Sequence, residues 1–284
     1  MDQLGINHSA WKVSNWDENE LGDTDLFKWS FDKSGDGRSL IKSITVVNDK
    51  KLDQNKTTPT RTTYLKVVTN QTFNDGEKKV KVDIEIKPKK SKGEDYDVIF
   101  KGQEKVDTSI KLSTSFTMWV KNAEENGDDV DVETGDGFVF VPADNEENTI
   151  VYGDDRAALF FYADDDADKF YAKLSTKAMM DIYTEYGDPA DADLWFYDFV
   201  GNKTIPSTSR ATLTLGIPWD EDDTYVPDPT NVYIYELKTD GSLVDVTDKF
   251  TYSEDNDSTT GIEGWTIKTR TLGTYIVSDA ELIL

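Results

Sequence analysis

Runs of aspartate are the groups in this sequence best suited to hold a metal ion. Four aspartates crowd one short stretch, Asp164, Asp165, Asp166 and Asp168. Hard carboxylate oxygens carried on a turn are the ligands that Ca²⁺ prefers. The stretch therefore predicts a calcium site, with an ordinary solvated loop as the alternative.

Two other acidic segments are weaker calcium candidates. Residues 32–37 begin like an EF-hand loop (Asp-x-Ser-x-Asp-Gly), but the twelfth position is Ser43 instead of the bidentate Glu that such a loop needs. Residues 128–133 hold three aspartates and one glutamate. The alternative for residues 32–37 is an ordinary hairpin loop, and the alternative for residues 128–133 is an acidic loop without a metal ion.

An acidic loop bounded by Pro218 and Pro227 contains two aromatic residues that could stack on a sugar ring, Trp219 and Tyr225. The carboxylates beside them could accept hydrogen bonds from sugar hydroxyls. Trp219 and Tyr225 are the predicted ligand-binding residues. The alternative is that Trp219 fills one end of a hydrophobic core. The tryptophans at 29, 119 and 265 lie in strand patterns and are predicted to be core residues.

Few residues could support catalysis. His8 is the only histidine and there is no cysteine, so thiolate chemistry is excluded and a histidine-based relay would have to use His8. A glycan hydrolase would need two carboxylates about 5–10 Å apart. Asp193 and Asp198 flank an aromatic run, but strand alternation places them on opposite faces. We therefore expect no catalytic residue, with a hydrolase as the most remote alternative.

Composition narrows the functional class further. The chain of 284 residues carries 56 acidic and 31 basic residues, a formal net charge of −25. Nucleic-acid binding requires a basic face, so no nucleic-acid partner is expected. No apolar run approaches the roughly 18 residues of a membrane span, so no membrane insertion is expected. The acidic excess is concentrated in the C-terminal part of the chain: residues 151–284 hold 27 acidic and 10 basic residues, whereas residues 1–150 hold 29 acidic and 21 basic residues.

Short alternating runs separated by Gly, Asn and Asp indicate the elements that must position these residues. Residues 78–87 place Val80, Val82, Ile84 and Ile86 on one face. Such strands predict a mainly β chain of two tandem antiparallel β-sandwich (Ig-like) domains. Residues 1–24 are a lead-in segment, 25–150 the N-terminal domain and 151–284 the C-terminal domain. Residues 170–186 fit both a strand and a helix, and the all-β neighbours favour strands.

The C-terminal part has the strongest hairpin signal. Two β-prone runs flank Asp240-Gly241, which predicts a two-residue turn that sets Leu237 opposite Val244 and Tyr235 opposite Val246. A second hairpin is predicted from residues 265–269 and 274–277, with Gly273 at the bend.

The pattern Thr271–Ser278 (TLGTYIVS), together with the preceding Tyr-Ile-Tyr-Glu-Leu hairpin, resembles modules in large secreted surface proteins of Gram-positive bacteria. The resemblance covers mainly residues 193–279. It implies an extracellular β-sandwich with a structural or adhesive role and carries over no site residue.

Together these features predict a non-enzymatic cell-surface module, with a carbohydrate-binding protein as the alternative. The expected partner is a host or cell-wall glycan or a surface protein, and the chain is expected to be a monomer. No signal peptide is visible, and we expect one to precede this segment in the full-length protein. No cofactor is expected apart from the candidate calcium.

Overall fold

The computed structural model describes residues 21–25, 27–51, 61–89, 111–201, 203–220, 223, 225–254 and 259–284. Over these residues the chain is mainly β, with several antiparallel sheets, none of which closes on itself. The prediction of a mainly β chain is confirmed. His8 and most of the predicted lead-in lie outside the described residues.

The chain divides into two compact units. Unit 1 comprises Met1–Thr72 and Glu77–Lys121, and unit 2 comprises Phe73–Gly76 and Asn122–Leu284. The short segment Phe73–Gly76 belongs to unit 2 because it packs there: the ring of Phe73 lies 5.6 Å from that of Tyr171. The predicted boundary at residue 150 falls inside unit 2, because residues 122–150 supply strands to its sheets.

The described residues of unit 1 form a three-stranded and a two-stranded antiparallel sheet. Its strands are β1 (Phe27–Ser34), β2 (Ile41–Lys51), β3 (Arg61–Thr69), β4 (Lys78–Pro88) and β5 (Leu112–Val120), with a 3₁₀ turn at Arg38–Leu40. The sheet orders are β1-β4-β5 and β2-β3. The predicted apolar face of β4 is buried, and Ile44, Leu65 and Val67 of the two-stranded sheet pack against the same cluster.

In the part of unit 2 that the structure describes, the strands form three sheets. Its strands are β6 (Ala123–Asn126), β7 (Asp129–Val132), β8 (Phe138–Val141), β9 (Glu147–Tyr152), β10 (Ala157–Tyr162), β11 (Phe170–Ala172), β12 (Leu174–Ser175), β13 (Leu194–Phe199), β14 (Ala211–Gly216), β15 (Tyr233–Leu237), β16 (Leu243–Asp245), β17 (Thr251–Ser253), β18 (Gly264–Thr269) and β19 (Thr274–Ser278). The orders are β17-β18-β14-β10-β9-β7, β12-β13-β19-β15-β16 and β11-β8-β6. A 3₁₀ turn spans Thr247–Lys249.

The main core of unit 2 draws buried side chains from all three sheets, including Leu159 and Leu213, Tyr197 and Val277, and Phe140. This is the arrangement of a sandwich-like fold, in which inner faces interdigitate. Each fully buried side chain of this size contributes about 1.5–3 kcal/mol.

Strand β13 is buried on both faces, which explains its nearly unbroken apolar sequence. Trp195, Tyr197 and Phe199 face the main core, whereas Leu194 and Phe196 face a second cluster. The second cluster is completed by residues of a helical segment and by the C-terminal region. A third layer therefore covers the outside of the five-stranded sheet.

Residues 170–186 turn out to contain both structures. The first part forms β11 and β12, as expected. The second part is a helical segment made of an α-helical turn (Met180–Ile182), a π-helical turn (Tyr183–Gly187) and a further α-helical turn (Asp188–Ala190). Strand structure was the wrong prediction there, because the apolar residues pack against the second cluster at helical spacing.

Residues 122–137, which include the acidic segment 128–133, form two short edge strands. Strand β6 pairs in parallel with β8, and β7 pairs in parallel with β9. Strand β9 itself covers part of the predicted domain boundary. The acidic side chains are tolerated because an edge strand keeps one face in water.

The hairpin β15–β16 forms, but its register differs from the prediction. Leu237 lies opposite Leu243 and Tyr235 opposite Asp245. The backbone N–H of Gly241 donates to the Lys238 carbonyl and that of Lys238 to the Ser242 carbonyl, with Gly241 at φ +88°. These bonds define a three-residue loop that ends in a left-handed glycine, so the pairing slips by one residue.

Strands β18 and β19 do not form the second predicted hairpin. Strand β18 pairs with β14 and β17, whereas β19 pairs with β13 and β15 in the other large sheet. The connection crosses between sheets and is held by bonds from Ile205 N–H to the Arg270 carbonyl and from Leu272 N–H to the Lys203 carbonyl, both 2.9 Å.

Within the part of the chain that the structure describes, every helix is too short or too polar to span a bilayer.

Candidate functional site

The two predicted ligand-binding aromatics have different surroundings. Trp219 is only 9% exposed, and its ring packs edge-to-face against Trp195 (4.9 Å between centroids) and Trp265 (5.8 Å). An indole enclosed in this way cannot stack on a sugar, so it occupies the position that the core-filling alternative predicts. Tyr225 is 56% exposed and remains accessible.

Tyr225 belongs to a cluster that brings together two carboxylates and two phenols: Asp193, Asp279, Tyr183 and Tyr225. We refer to it as the acid–tyrosine cluster. The Tyr183 hydroxyl donates to Asp193 Oδ1 over 3.2 Å, and the Tyr225 hydroxyl is hydrogen-bonded to Asp279. The cluster joins one of the predicted carboxylates to one of the predicted aromatics.

The antiparallel pairing of β13 with β19 creates this cluster. Leu194 lies opposite Ser278, so Asp193 just before β13 meets Asp279 just after β19. The backbone N–H of Asp193 donates to Asp279 Oδ1 over 2.9 Å. Two adjacent carboxylates repel each other across a sheet. The backbone and phenol hydrogen bonds offset that repulsion.

The electrostatics of the cluster make its tyrosines hydrogen-bond donors. Partial burial raises the pKa of Tyr183, and so do its hydrogen bond to Asp193 and the nearby carboxylates. The hydrogen bond to Asp279 is the main cause that raises the pKa of Tyr225. Both phenols are therefore neutral at physiological pH and unsuited to act as bases. The arrangement can bind a polyhydroxylated molecule through carboxylate acceptors and an exposed aromatic ring.

Asp193 and Asp198, the candidate hydrolase pair, are not brought together. Asp198 accepts a hydrogen bond from the Thr274 hydroxyl over 2.8 Å, at the opposite end of β13. Five residues of strand separate the two carboxylates by about 16 Å. That distance exceeds the separation that either glycosidase mechanism requires.

The structure does not gather the predicted calcium ligands. In the stretch 164–168, Asp165 accepts a hydrogen bond from Asn145 over 3.0 Å, and Ala167 N–H donates to Asp144 over 3.0 Å. The described residues contain no group of three His, Cys, Asp or Glu side chains placed to hold one metal ion. These two hydrogen bonds link the loop to residues 144–145, and the calcium site stays a prediction.

The other two acidic segments have local structural roles. Asp36 Oδ1 accepts the backbone N–H of Lys79 over 3.0 Å, which closes the turn after β1. Asp129 and Asp131 are part of β7.

Trp119 is an exposed aromatic that the sequence interpretation assigned to the core. It is 56% exposed, and the ammonium group of Lys79 lies 5.4 Å from its ring centroid. The sequence of β5 already indicated this exposed position, because Leu112, Phe116 and Met118 alternate there with serine and threonine. Trp119 falls on the polar side of that alternation. Of the other predicted core tryptophans, Trp265 is buried and Trp29 packs partly buried against the core of unit 1.

No protein-family model, curated protein or solved structure matches this chain.

Proposed function

We propose that this chain is a non-enzymatic extracellular module with a structural or adhesive role at a cell surface, built from two tandem Ig-like β-sandwich domains. The observation that carries the proposal is the partition of charge between the units. Unit 2 holds 38 of the 56 acidic and 10 of the 31 basic residues, a net charge of −28, whereas unit 1 holds 18 acidic and 21 basic residues, a net charge of +3.

This partition gives the two units different capacities for contact. A unit with a large excess of one charge stays soluble and repels surfaces of the same sign, including other copies of itself. Unit 1, which is nearly neutral, is not repelled by charged surfaces in this way. Unit 2 therefore acts as the acidic, structural part and unit 1 as the part that approaches a surface.

Three further features support a non-enzymatic role outside the cell. The candidate catalytic carboxylates Asp193 and Asp198 lie at opposite ends of one strand. The phenols of the acid–tyrosine cluster hold their protons at physiological pH. The chain has no cysteine, so its fold does not depend on the redox state of the compartment.

Carbohydrate binding at the acid–tyrosine cluster is the second candidate function, with Tyr225 but without Trp219. The exposed ring of Tyr225 beside Asp193 and Asp279 favours it. A glycan array would test this candidate. Signals that Tyr225→Ala abolishes would support it, and signals that the variant leaves unchanged would contradict it.

Adhesion is tested with beads that carry the full chain, applied to surfaces coated with glycans or with extracellular proteins. We expect retention on at least one surface. Protease treatment of intact cells of the source organism should also remove the protein, as expected for an extracellular location. Retention on no surface, or turnover of a glycan substrate, would contradict the proposal. Sedimentation of the full chain as a single species of 32.1 kDa would support the proposed monomer.

A further inference from the structure

The outward side of the three-stranded sheet of unit 1 presents a strip of hydroxyl groups that ends in an indole. Along β5 the outward side chains are Ser113, Ser115, Thr117 and Trp119. We call this strip, with the side chains opposite it on β4, the Trp119 face. Their partners on β4 are Glu85, Asp83, Lys81 and Lys79, in the same order.

Trp119 is the most unusual residue of this face. Its inward neighbours on β5, Met118 and Val120, pack against the core of unit 1, so alternation holds the indole outward. An indole that is 56% exposed leaves a large apolar area in water. Exposed aromatic side chains combine an apolar ring with a polar edge, which suits them to ligand contact.

An open cavity of about 560 Å³ lies at the other end of the face. The hydroxyl side chains of Ser30, Ser113 and Ser115 line it together with the carboxylates of Asp83 and Glu85. Four residues of extended strand, about 13 Å, separate Ser115 from Trp119. A ligand that reaches both must be an extended molecule of several rings.

A third carboxylate lies on the adjacent strand. Asp32 of β1 is directly opposite Asp83. Its carboxylate also lines the cavity. The cavity therefore offers several hydrogen-bond acceptors beside hydroxyl groups that both donate and accept.

The charges on this face largely offset one another. Lys81 lies 2.8 Å from Asp83, while Lys87 and Lys111 lie 2.6 and 2.8 Å from Glu85. Hydrogen bonds from the two lysines lower the pKa of Glu85 to about 2, so the carboxylate stays ionised and remains an acceptor. The Lys79 ammonium lies over one side of the Trp119 ring, 5.4 Å from its centroid, which leaves the other side of the exposed indole for a ligand. A face with nearly balanced charges, many hydroxyl groups and one exposed indole complements a neutral polyhydroxylated ligand better than a polyanion or a polycation.

We infer that the Trp119 face binds a neutral oligosaccharide that lies along β5, with one sugar ring on the indole and hydroxyl groups bonded to the serines and carboxylates of the cavity. This inference rests on the proposed adhesive function and names the partner class of that function. It places the contact on unit 1, whereas Tyr225 belongs to unit 2.

The inference is tested by electrophoresis of the full chain in native gels that contain soluble neutral polysaccharides, with dextran, mannan and a β-glucan as separate probes. The wild-type chain should be retarded by at least one of them. Trp119→Ala should weaken that retardation about tenfold, since it removes the stacking surface. Tyr162→Ala, which removes another exposed aromatic side chain at the end of β10, should migrate like the wild type. Equal thermal midpoints for the two variants would establish that both are folded.

The outcomes separate this inference from the function on which it rests. Retardation that Trp119→Ala leaves intact would overturn the inference, while adhesion would stand. Binding of spermine or polylysine with no binding of a neutral polysaccharide would also overturn it. Both proposals fail if no polysaccharide gel retards the wild-type chain and no coated surface retains beads that carry it.

Discussion

Replacing Trp219 by Ala should lower the free energy of unfolding of unit 2 by about 3–5 kcal/mol, the range for buried aromatic truncations. A buried aromatic of this size removes about 150–250 Å² from water. At about 25 cal/mol per Å² this corresponds to about 4–6 kcal/mol. The edge-to-face contacts with Trp195 and Trp265 add to this loss. Partial collapse of the surrounding side chains reduces it.

The measurement is urea unfolding of the full chain, followed by near-ultraviolet circular dichroism so that loss of aromatic packing is detected directly. Trp119→Ala is the matched control, because it removes the same side chain from a position where 56% of it is already in water, and it should lower the unfolding free energy clearly less than Trp219→Ala does. Equal losses in the two variants, or a larger loss in Trp119→Ala, would refute the assignment of Trp219 to the core and of Trp119 to the surface.

Three further predictions follow from local geometry. The pKa of Glu85 is lowered from 4.5 to about 2, so its ion pairs stabilise unit 1 fully above pH 4.5 and are lost as the pH falls towards 2. Over that pH range, the urea midpoint of Glu85→Gln should fall less steeply than that of the wild type. Equal slopes for the two proteins would contradict this prediction. Gly241→Ala should lower the free energy of thermal unfolding by about 1 kcal/mol, because φ at this position is +88°. A Cβ added there meets no atom within 4 Å, so the loss comes from the backbone conformation alone. Gly241→Asn should lower it by less. An Ala variant as stable as the wild type would refute the left-handed turn. Chelation of calcium should leave the melting midpoint unchanged, because amide hydrogen bonds hold the Asp164–Asp168 stretch without a metal ion. A lower midpoint would support the calcium prediction.

Alternation was the most reliable signal in the sequence. It placed the apolar face of β4 in the core. The same rule, applied to β5, would have placed Trp119 outside, because its outward neighbours are serine and threonine. That error arose from treating tryptophan as a core residue by type and ignoring its position in the pattern.

The remaining differences depend on interactions between distant parts of the chain. Asp240-Gly241 fits both a two-residue and a three-residue loop, because each needs a left-handed glycine, so the local sequence leaves the register open. No local signal shows that β18 and β19 enter different sheets. The acidic strands β6 and β7 have weak β propensity and form through pairing with β8 and β9.

The acid–tyrosine cluster illustrates the same limit at the level of a site. Its two carboxylates, Asp193 and Asp279, are 86 residues apart in the sequence. Only the pairing of β13 with β19 brings them together. Likewise, the burial of Trp219 depends on two partners from separate strands, which no pattern within its own loop could predict.

The most direct test of the account is retention of the full chain on an immobilised neutral polysaccharide, measured at 0.15 M and at 1 M salt. Stacking and hydrogen bonds to a neutral sugar are little affected by salt, whereas attraction between exposed charges is largely screened at about 1 M. We expect retention at both salt concentrations and its loss in Trp119→Ala. Retention that disappears at 1 M salt, or that the variant keeps, would contradict it.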